Sequence, residues 1–425
     1  MGNPVSKKES STQQQLINLS TEEVIIKYWI RVLNIKLGWI QNFDKMIVKY
    51  VKFIYFLFYS ILNLFANNFF NFEIFCSSSK SSNIFTGHTD WVNSIDFFTF
   101  DNDQFICSGS YDNTARVWNA ETKQQIQVFS GYSDWVYCAR FSPYHYHNNR
   151  RNVICFSLHD NTIYFCDIKH NQQLQVFNEH INWINCIEFS SFSGGRYLCS
   201  GSADDSIRLW DVKTSKSLHI FNGHTDTVKC VDISPLQSNN NNKNNNIGVI
   251  SGNGYTICSG SSDKTIRIWD IETTKQLILF KGHKDRVMSV KYGSNELGNI
   301  GCANTILSGS NDKSVCLWDI RSGKQIQMFN GHTHSVQSVE YSPFAVKCLG
   351  KVSGNSNVIC SGSWDRTIRF WDIRSNKNEL YTINGDGGIM CLKFLQLRKD
   401  KKSNNDSVCD INLCYGSTRY SIHIC

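Results

Sequence analysis

Five stretches of the chain each contain a histidine, a serine and an aspartate, the residue types that form the catalytic triad of many hydrolases. In such a triad the histidine takes the proton of the serine hydroxyl, and the aspartate orients the histidine. Here the set occurs five times at similar spacing and always includes a tryptophan. This recurrence favours a structural role, and we expect the protein not to be an enzyme. The five sets are His88, Ser108, Asp112 and Trp118; His180, Ser200, Asp204 and Trp210; His224, Ser259, Asp263 and Trp269; His283, Ser308, Asp312 and Trp318; and His332, Ser361, Asp365 and Trp371.

The sequence contains no other motif of enzymatic or metal-binding chemistry. It has no P-loop, paired-histidine metal site, Cys-x-x-Cys pair or glycine-rich dinucleotide turn. The N-terminal residues show no apolar secretory segment, so we expect the 17 cysteines to be reduced thiols in the cytoplasm. Cys107, Cys199, Cys258 and Cys360 recur at one strand position, where they act as small buried apolar residues. No cofactor and no metal are expected.

An internal repeat positions the five sets. Strings such as CSGSYDNTARVWN and CSGSWDRTIRFWD recur, and each follows an alternating apolar run that a Gly-His pair or a variant of it opens. Two divergent copies, HDNTIYFCD ending at Asp167 and CYGSTRYSIHIC ending at Cys425, bring the number of units to seven.

Within each unit the apolar residues recur with a period of two. In 336–341 and 367–371 alternate residues are apolar, which is the pattern of a half-buried strand. Four such runs per unit predict one four-stranded blade of a β-propeller. With these motifs the chain resembles the WD40 family over residues 83–425, and we place the propeller domain at 79–425. The resemblance implies an all-β fold, a seven-bladed propeller that a strand at 82–86 closes, preceded here by an N-terminal helical extension.

The resemblance also implies a role for the five sets. In the family the His, Ser, Asp and Trp of one repeat form a buried hydrogen-bonded tetrad, which stabilises the blade when every donor and acceptor is paired. The second unit departs from this pattern, with Tyr132, Phe156 and Cys166 at the His, Ser and Trp positions. The seventh lacks the histidine and has Arg419 and Cys425 at the Asp and Trp positions. We expect these two blades to be the least stable.

One face of such a propeller carries the turns before the first strand and between the second and third strands, and partners of the family often bind there. Aromatic residues gather at these positions in the first three units, and the sequence places Trp364 across the channel from them. Because Trp and Tyr supply much of the binding energy of interfaces, we predict a docking site for a protein or peptide. The alternative is that each tryptophan packs on its neighbouring turn. The predicted partner-binding residues are Trp91, Tyr111, Trp135, Tyr137, Trp183, Trp364, Arg286 and Met288.

Two segments on the opposite face suggest another partner. Residues 306–321 and 359–374 resemble the sixteen-residue box of propellers that dock on the damage-binding adaptor of cullin-RING ubiquitin ligases. The resemblance implies that Arg321 and Arg374 are exposed contacts, suited to paired hydrogen bonds with carboxylates. A substrate receptor of such a ligase is therefore the alternative to a scaffold.

The N-terminal residues point to a membrane surface. Residues 1–19 are predicted to be disordered, and their start fits the pattern for N-myristoylation at Gly2. One acyl chain binds a membrane only weakly, so a second signal is needed. In 20–52, apolar residues recur every three or four positions, which predicts an amphipathic helix with basic residues off its apolar stripe. This helix can lie on an anionic membrane, pack on the propeller or pair with a second copy.

Residues 53–78 are rich in phenylalanine and asparagine. Their apolar run is shorter than the roughly 20 residues that a spanning helix needs, so they form at most a weak membrane segment. The same composition fits a retained intron translated from AT-rich sequence.

The net charge of +7 is spread along the chain instead of lying on one face, so no nucleic-acid partner is expected. The sequence thus predicts a non-enzymatic scaffold in the cytoplasm that binds other proteins through the propeller face. Gly2 and the helix 20–52 would attach it to a membrane surface.

Overall fold

The computed structural model describes residues 75–76, 83–101, 103–234, 255–293, 304–343, 358–375, 379–397 and 410–425. The predictions for 1–19, for Gly2, for the helix 20–52 and for most of 53–78 lie outside these residues. Among the described residues no helix has the length and apolar character needed to cross a bilayer.

The described residues form seven antiparallel sheets of four strands each. In six of them the strands lie side by side in chain order, and the seventh takes its fourth strand from the N-terminal end of the ring. The prediction of an all-β, seven-bladed propeller is confirmed.

The blades are numbered along the chain, and the closing strand β1 spans Asn83–Phe85. The first three blades are β2 (Val92–Phe100), β3 (Asp103–Ser110), β4 (Ala115–Asn119) and β5 (Gln125–Phe129); β6 (Val136–Phe141), α1 (Pro143–Asn149), β7 (Val153–Leu158), β8 (Ile163–Asp167) and β9 (Gln172–Phe177); and β10 (Ile184–Phe189), a 3₁₀ turn (Ser193–Gly195), β11 (Tyr197–Ser202), β12 (Ser206–Asp211) and β13 (Lys216–Asn222).

The remaining blades have the same order of strands. They are β14 (Val228–Ile233), β15 (Thr256–Ser261), β16 (Thr265–Asp270) and β17 (Gln276–Lys281); β18 (Val287–Tyr292), β19 (Thr305–Ser310), β20 (Ser314–Asp319) and β21 (Lys324–Asn330); β22 (Val336–Tyr341), β23 (Val358–Ser363), β24 (Thr367–Asp372) and β25 (Tyr381–Asn384); and β26 (Ile389–Leu397), β27 (Asp410–Ser417) and β28 (Ile422–Ile424), with β1 as the fourth strand of blade 7.

The strand β1 joins the two ends of the ring. Asn83 lies opposite Ile424 and Phe85 opposite Ile422, so β1 covers the edge that β28 would otherwise expose. The ring of Phe85 is buried and meets Trp118 of blade 1 edge-on at 5.9 Å. The closing strand therefore contacts the first and the last blade together.

The hydrophobic core lies between successive blades. Leu209 of blade 3 and Val228, Val231 and Trp269 of blade 4 belong to one buried cluster, and equivalent clusters join other neighbouring blades. The sheets approach so closely that a β-carbon on Gly201 would lie 2.7 Å from Val228 Cγ1. The glycine of this Ser-Gly-Ser triplet is therefore a packing requirement.

Part of the segment 53–78 belongs to the described residues and contacts blade 6. Phe75 is buried edge-on against Phe370 at 5.6 Å. The hydroxyl of Tyr381 donates a hydrogen bond to the carbonyl of Cys76 at 2.8 Å.

Candidate protein-interaction face

The five predicted tetrads all form hydrogen-bonded chains. In blade 4, Trp269 Nε1–H donates to Ser259 Oγ at 2.9 Å, and Ser259 Oγ lies 2.8 Å from His224 Nε2. His224 Nδ1 lies 2.7 Å from a carboxylate oxygen of Asp263. A proton on Nδ1 satisfies every group of this chain. The other four tetrads repeat these distances within 0.3 Å.

The environment of the tetrads suits a structural role. Burial opposes the charge of Asp263, but the hydrogen bonds from His224 and Thr265 outweigh it and hold the pKa of this carboxyl well below its usual range. The aspartates of the other four tetrads are shifted in the same direction for the same reason. All five tetrad serines are fully buried, so their hydroxyls cannot reach a substrate.

Blade 2 replaces most of its tetrad by ring packing and keeps one polar contact, between the hydroxyl of Tyr132 and Cys166 Sγ at 3.7 Å. Phe156 takes the place of the small serine, and Cys166 takes the place of the large tryptophan, so the exchange keeps the total volume similar. The ring of Tyr132 packs on Phe156 at 5.2 Å and on Tyr164 at 5.0 Å.

Blade 7 contains a different polar network, which the sequence did not reveal. Arg419 and Cys425 occupy the Asp and Trp positions, but His423 lies on β28 and Asp386 lies in the turn before β26. The hydroxyl of Ser421 donates to Asp386 at 3.1 Å and also lies 2.8 Å from His423 Nε2. A histidine at a strand position where four of the other six blades have arginine was the signal that could have found it.

Two backbone features fix the side chains on the predicted binding face. The amide of Tyr111 donates to the carbonyl of Trp91, and the amide of His159 donates to that of Trp135, each at 3.1 Å. The corresponding bond recurs in the other five blades of the described ring. It joins the turn before the inner strand to the turn between the second and third strands, so two outward positions per blade have a fixed separation.

The second feature is a β-bulge at the second residue of every inner strand. The register with the next strand shifts at this residue in all seven blades of the described ring. Bulges commonly redirect a side chain towards a site. The bulged residues are Asn93, Tyr137, Asn185, Lys229, Met288, Gln337 and Met390.

Seven rings on this face are in continuous contact, and we call them the aromatic arc. Tyr111 lies 5.9 Å from Trp91 and 4.7 Å from Trp135, measured between ring centroids. His159 stacks on Trp183 at 4.9 Å with 9° between the planes. Rings at these distances attract each other, so the arc is ordered before a partner binds. Its members are Trp364, Trp91, Tyr111, Trp135, Tyr137, His159 and Trp183.

The position of Trp364 differs from the expectation. The sequence places it across the channel from the other aromatic residues, and this is wrong, because its ring meets Trp91 at 5.7 Å. Blade 7 lies between them and has Gly388 where blades 1 to 3 have tryptophan. Without a side chain at Gly388, Trp364 reaches over blade 7, and its Nε1–H donates to Met390 Sδ at 3.1 Å.

The arc combines exposed and half-buried rings. Trp135 and Trp364 remain 46% and 39% exposed, and the other members are half-buried. Burial raises the pKa of Tyr111 and of Tyr137, so both keep the hydroxyl proton and can donate it to a ligand.

The predicted residues Arg286 and Met288 lie on blade 5, outside the arc. Arg286 is exposed and Met288 is half-buried at its bulge. Beside them, burial and the positive charge of Arg286 lower the pKa of Lys229. The predicted site therefore has an aromatic part and a cationic part.

A ring of charged residues, which the sequence analysis missed, lines the channel. The fifth residue of every inner strand is charged, and a comparison of the seven inner strands would have shown it. Lys291 lies 3.8 Å from Glu188 and 3.6 Å from Asp232, although these three residues belong to three different blades. The ring consists of Asp96, Arg140, Glu188, Asp232, Lys291, Glu340 and Lys393.

The two arginines of the predicted adaptor boxes lie on the opposite face. The guanidinium of Arg374 makes two hydrogen bonds to the carboxylate of Asp372, at 3.0 and 2.9 Å. Arg321 is exposed, and its guanidinium lies 2.9 Å from the side-chain amide of Asn304. Among the described residues no group of three or more His, Cys, Asp or Glu side chains could hold a metal ion.

Comparisons with known proteins agree with this architecture. The family model for the WD domain, G-beta repeat, matches residues 79–119, 171–211, 215–270, 274–319 and 323–372. A stretch of 56 residues, 13% of the chain, is 36% identical to coatomer subunit beta'-1 of Arabidopsis thaliana and covers 6% of that protein's length. The divergent inner strands of blades 2 and 7 lie outside the matched segments.

Proposed function

The chain belongs to the WD40-repeat family, and from this premise we propose that it is a non-enzymatic scaffold that binds other proteins through the aromatic arc. The observation that carries the proposal is the continuity of the arc from Trp364 of blade 6, across blade 7, to blades 1, 2 and 3. Trp and Tyr are the residue types that dominate binding energy at interfaces, and a large exposed aromatic patch is unusual without a partner. WD40 propellers generally bind proteins, which agrees with this role.

The alternative reading, in which each tryptophan packs only on its own turn, explains less. The contacts of the arc run between blades: Trp364 meets Trp91, Tyr111 meets Trp135, and His159 of blade 2 stacks on Trp183 of blade 3. Packing on its own turn would not require side chains from neighbouring blades to meet.

The test is a double variant, Trp135→Ala with Trp183→Ala, in the full chain. Quantitative affinity purification should lose partners that the wild type recovers, at a temperature well below the thermal midpoint of the variant, which is measured as well because Trp183 is half-buried. Ile220→Ala with Ile326→Ala is a matched control, since these apolar side chains are 43% and 53% exposed on outer strands. An unchanged set of partners in the tryptophan variant would contradict the proposal.

Attachment to a cytoplasmic membrane surface is a further part of the proposal. Its support is the sequence alone, through the myristoylation pattern at Gly2 and the amphipathic pattern of 20–52. Incorporation of labelled myristate, with Gly2→Ala as control, tests it. A wild-type chain without label would remove the acyl anchor. Sequencing the transcript across the codons of 53–78 separates a genuine segment from a retained intron.

The ligase-receptor alternative has less support. Only the two boxes support the resemblance to ligase receptors. The guanidinium of Arg374, one of the two expected contacts, already forms a salt bridge with Asp372. Purification of the wild type and of the Arg321→Ala, Arg374→Ala variant tests it. Recovery of cullin components by the wild type alone would favour this alternative over the scaffold.

A further inference from the structure

The turns of blades 4 and 5 on the binding face are strongly cationic. Residues 223–229, 262–267, 281–288 and 311–313 contain seven Lys or Arg side chains against four carboxylates. The cations, which we call the basic sector, are Lys229, Lys264, Arg267, Lys281, Lys284, Arg286 and Lys313.

The four carboxylates of these turns have partners within their own turns. Asp226 accepts the amide of Thr227, and Asp285 accepts the amide of Arg286, at 2.7 and 2.8 Å. Asp263 and Asp312 are the tetrad carboxylates of blades 4 and 5. These hydrogen bonds leave the carboxylates charged, and the basic sector keeps a positive field towards solvent because its seven cations outnumber the four carboxylates.

Lys229 and Arg286 lie at the inner end of the basic sector, at the mouth of the channel. Within the described residues neither has a carboxylate at ion-pair distance, although Lys229 is half-buried. Their mutual repulsion contributes to the lowered pKa of Lys229. An anion between them would relieve this repulsion.

A cavity of about 390 Å³ opens at the outer end of the sector. Lys264, Arg267 and Lys281 line it together with Leu279 and the tetrad carboxylate Asp263. Arg267 lies 3.7 Å from Asp263, which leaves Lys264 and Lys281 as cations exposed to solvent. The cavity can thus hold an acidic side chain with some apolar contact.

On the opposite part of the binding face, carboxylates outnumber cations. The corresponding turns of blades 1 and 2, residues 87–93, 111–116, 131–137 and 159–164, contain four carboxylates and a single cation, Arg116. They also carry most of the aromatic arc. A uniform polyanion such as a nucleic acid would be repelled there, whereas a peptide can present different groups at its two ends.

We infer that the face binds a peptide segment with carboxylates at one end and apolar side chains at the other. The Asp and Glu side chains lie on the basic sector, between Lys229 and Arg286 and in the cavity, and the apolar side chains pack on the aromatic arc. This inference rests on the proposed function and adds to it the chemistry and the orientation of the partner.

The test uses fluorescence anisotropy of a labelled peptide in which a run of Asp and Glu precedes Leu and Phe. Two further peptides replace the acidic run by Lys and Arg, or by Ser with phosphoserine. The full-length chain is compared with Lys229→Glu, Arg286→Glu and with the control Lys275→Glu, Lys324→Glu. The control makes the same charge change at exposed lysines of the same two blades on the opposite face.

The acidic peptide should bind, with an affinity that falls as salt rises. Reversal of Lys229 and Arg286 should weaken it at least about tenfold, and the control should change it less than about twofold. Trp135→Ala with Trp183→Ala should weaken it as well.

Other outcomes separate the two proposals. Equal binding of the basic peptide, or no loss in Lys229→Glu, Arg286→Glu, would overturn the charge assignment and leave the arc as a binding site. Binding of the phosphoserine peptide alone, or displacement by a single-stranded oligonucleotide, would replace the carboxylate by phosphate. Binding that neither the charge reversal nor the tryptophan variant changes would count against both proposals.

Discussion

The carboxylate of Asp386 lies 3.2 Å from Nε2 of His423, which reverses the arrangement of the tetrads. In the tetrads the turn before the inner strand supplies the histidine, whereas in blade 7 this turn supplies the acid and the third strand supplies the histidine. The ring of Tyr415 stacks on His423 at 4.7 Å, nearly parallel to it. The closing blade therefore joins its turn to its strand through a pair of its own.

The first prediction concerns this pair and its dependence on pH. Burial opposes the charge of Asp386, but His423, Ser417 and Ser421 outweigh it and lower the pKa of this carboxyl. A lowered pKa contributes stability that is present above about pH 4 and is lost as the pH falls through the folded value. Asp386→Asn should therefore lower the thermal midpoint at pH 7, and the difference from wild type should shrink in acid. Asp103→Asn makes the same change at an exposed site, and an equal effect there would contradict the prediction.

The second prediction concerns the tetrads. Ser259→Ala leaves the buried Trp269 Nε1–H without its acceptor and His224 Nε2 without its donor, which should cost about 3 kcal/mol of the free energy of unfolding. Ser157→Ala is the matched control, because the hydroxyl of Ser157 is equally buried but has no hydrogen-bond partner among the residues that the structure describes. Urea unfolding should show that control to be neutral or stabilising. Equal losses in the two variants would mean that the hydrogen bonds of the tetrad add nothing.

The repeat explains why the sequence predicted the blades and tetrads. The recurring period-two pattern predicted the strands, whereas the pairing of His224 with Ser259 was implied by the resemblance to the WD40 family. The contact between Trp364 and Trp91 could not be predicted in this way. It depends on the distance across blade 7, and hence on the missing side chain of Gly388.

Two other features were missed for different reasons. The role of His423 depends on an acid that the turn before β26 places beside it, and no repeat unit of the chain offers that pairing as a template. The ring of charged residues that lines the channel, by contrast, was visible in the sequence as one charged residue per inner strand. The charges of Asp232 and Lys291 were overlooked because the apolar–polar alternation of a strand identifies these positions only as polar.

The third prediction concerns closure of the ring. Phe85 is 2% exposed and packs on Trp118, whereas its neighbour Ile84 on the same strand is 51% exposed. Phe85→Ala removes a ring from the core between blades 7 and 1 and should cost about 3 to 5 kcal/mol. Ile84→Ala should change the free energy of unfolding little, as denaturant titration of both variants will show. Similar midpoints for the two variants would indicate that β1 does not hold the ring closed.

The last prediction concerns the ring of charged residues that lines the channel. There the ammonium group of Lys291 lies at ion-pair distance from the carboxylates of both Glu188 and Asp232. Glu188 lies near both Lys291 and Arg140, and these cations outweigh burial and lower the pKa of Glu188 to about 2. Within the described part of the chain, Asp232 has only Lys291 at ion-pair distance. Burial outweighs this attraction and raises the pKa of Asp232 to about 6. Lys291→Met should therefore cost about 3 kcal/mol at neutral pH, because it removes the cation beside the partly buried Asp232 and one of the two cations beside Glu188.

The pH dependence identifies the carboxylate responsible. With a folded pKa above its unfolded value, Asp232 favours the folded state most in acid, and this contribution is lost as the pH rises through 6. The cost of Lys291→Met should thus grow between pH 5 and pH 8, where Asp232 ionises without its cation. Adding Asp232→Asn should remove this growth but leave the part that Glu188 causes. Thermal melts of the single and double variants across that range measure both parts, and a cost independent of pH would show that Asp232 does not depend on Lys291.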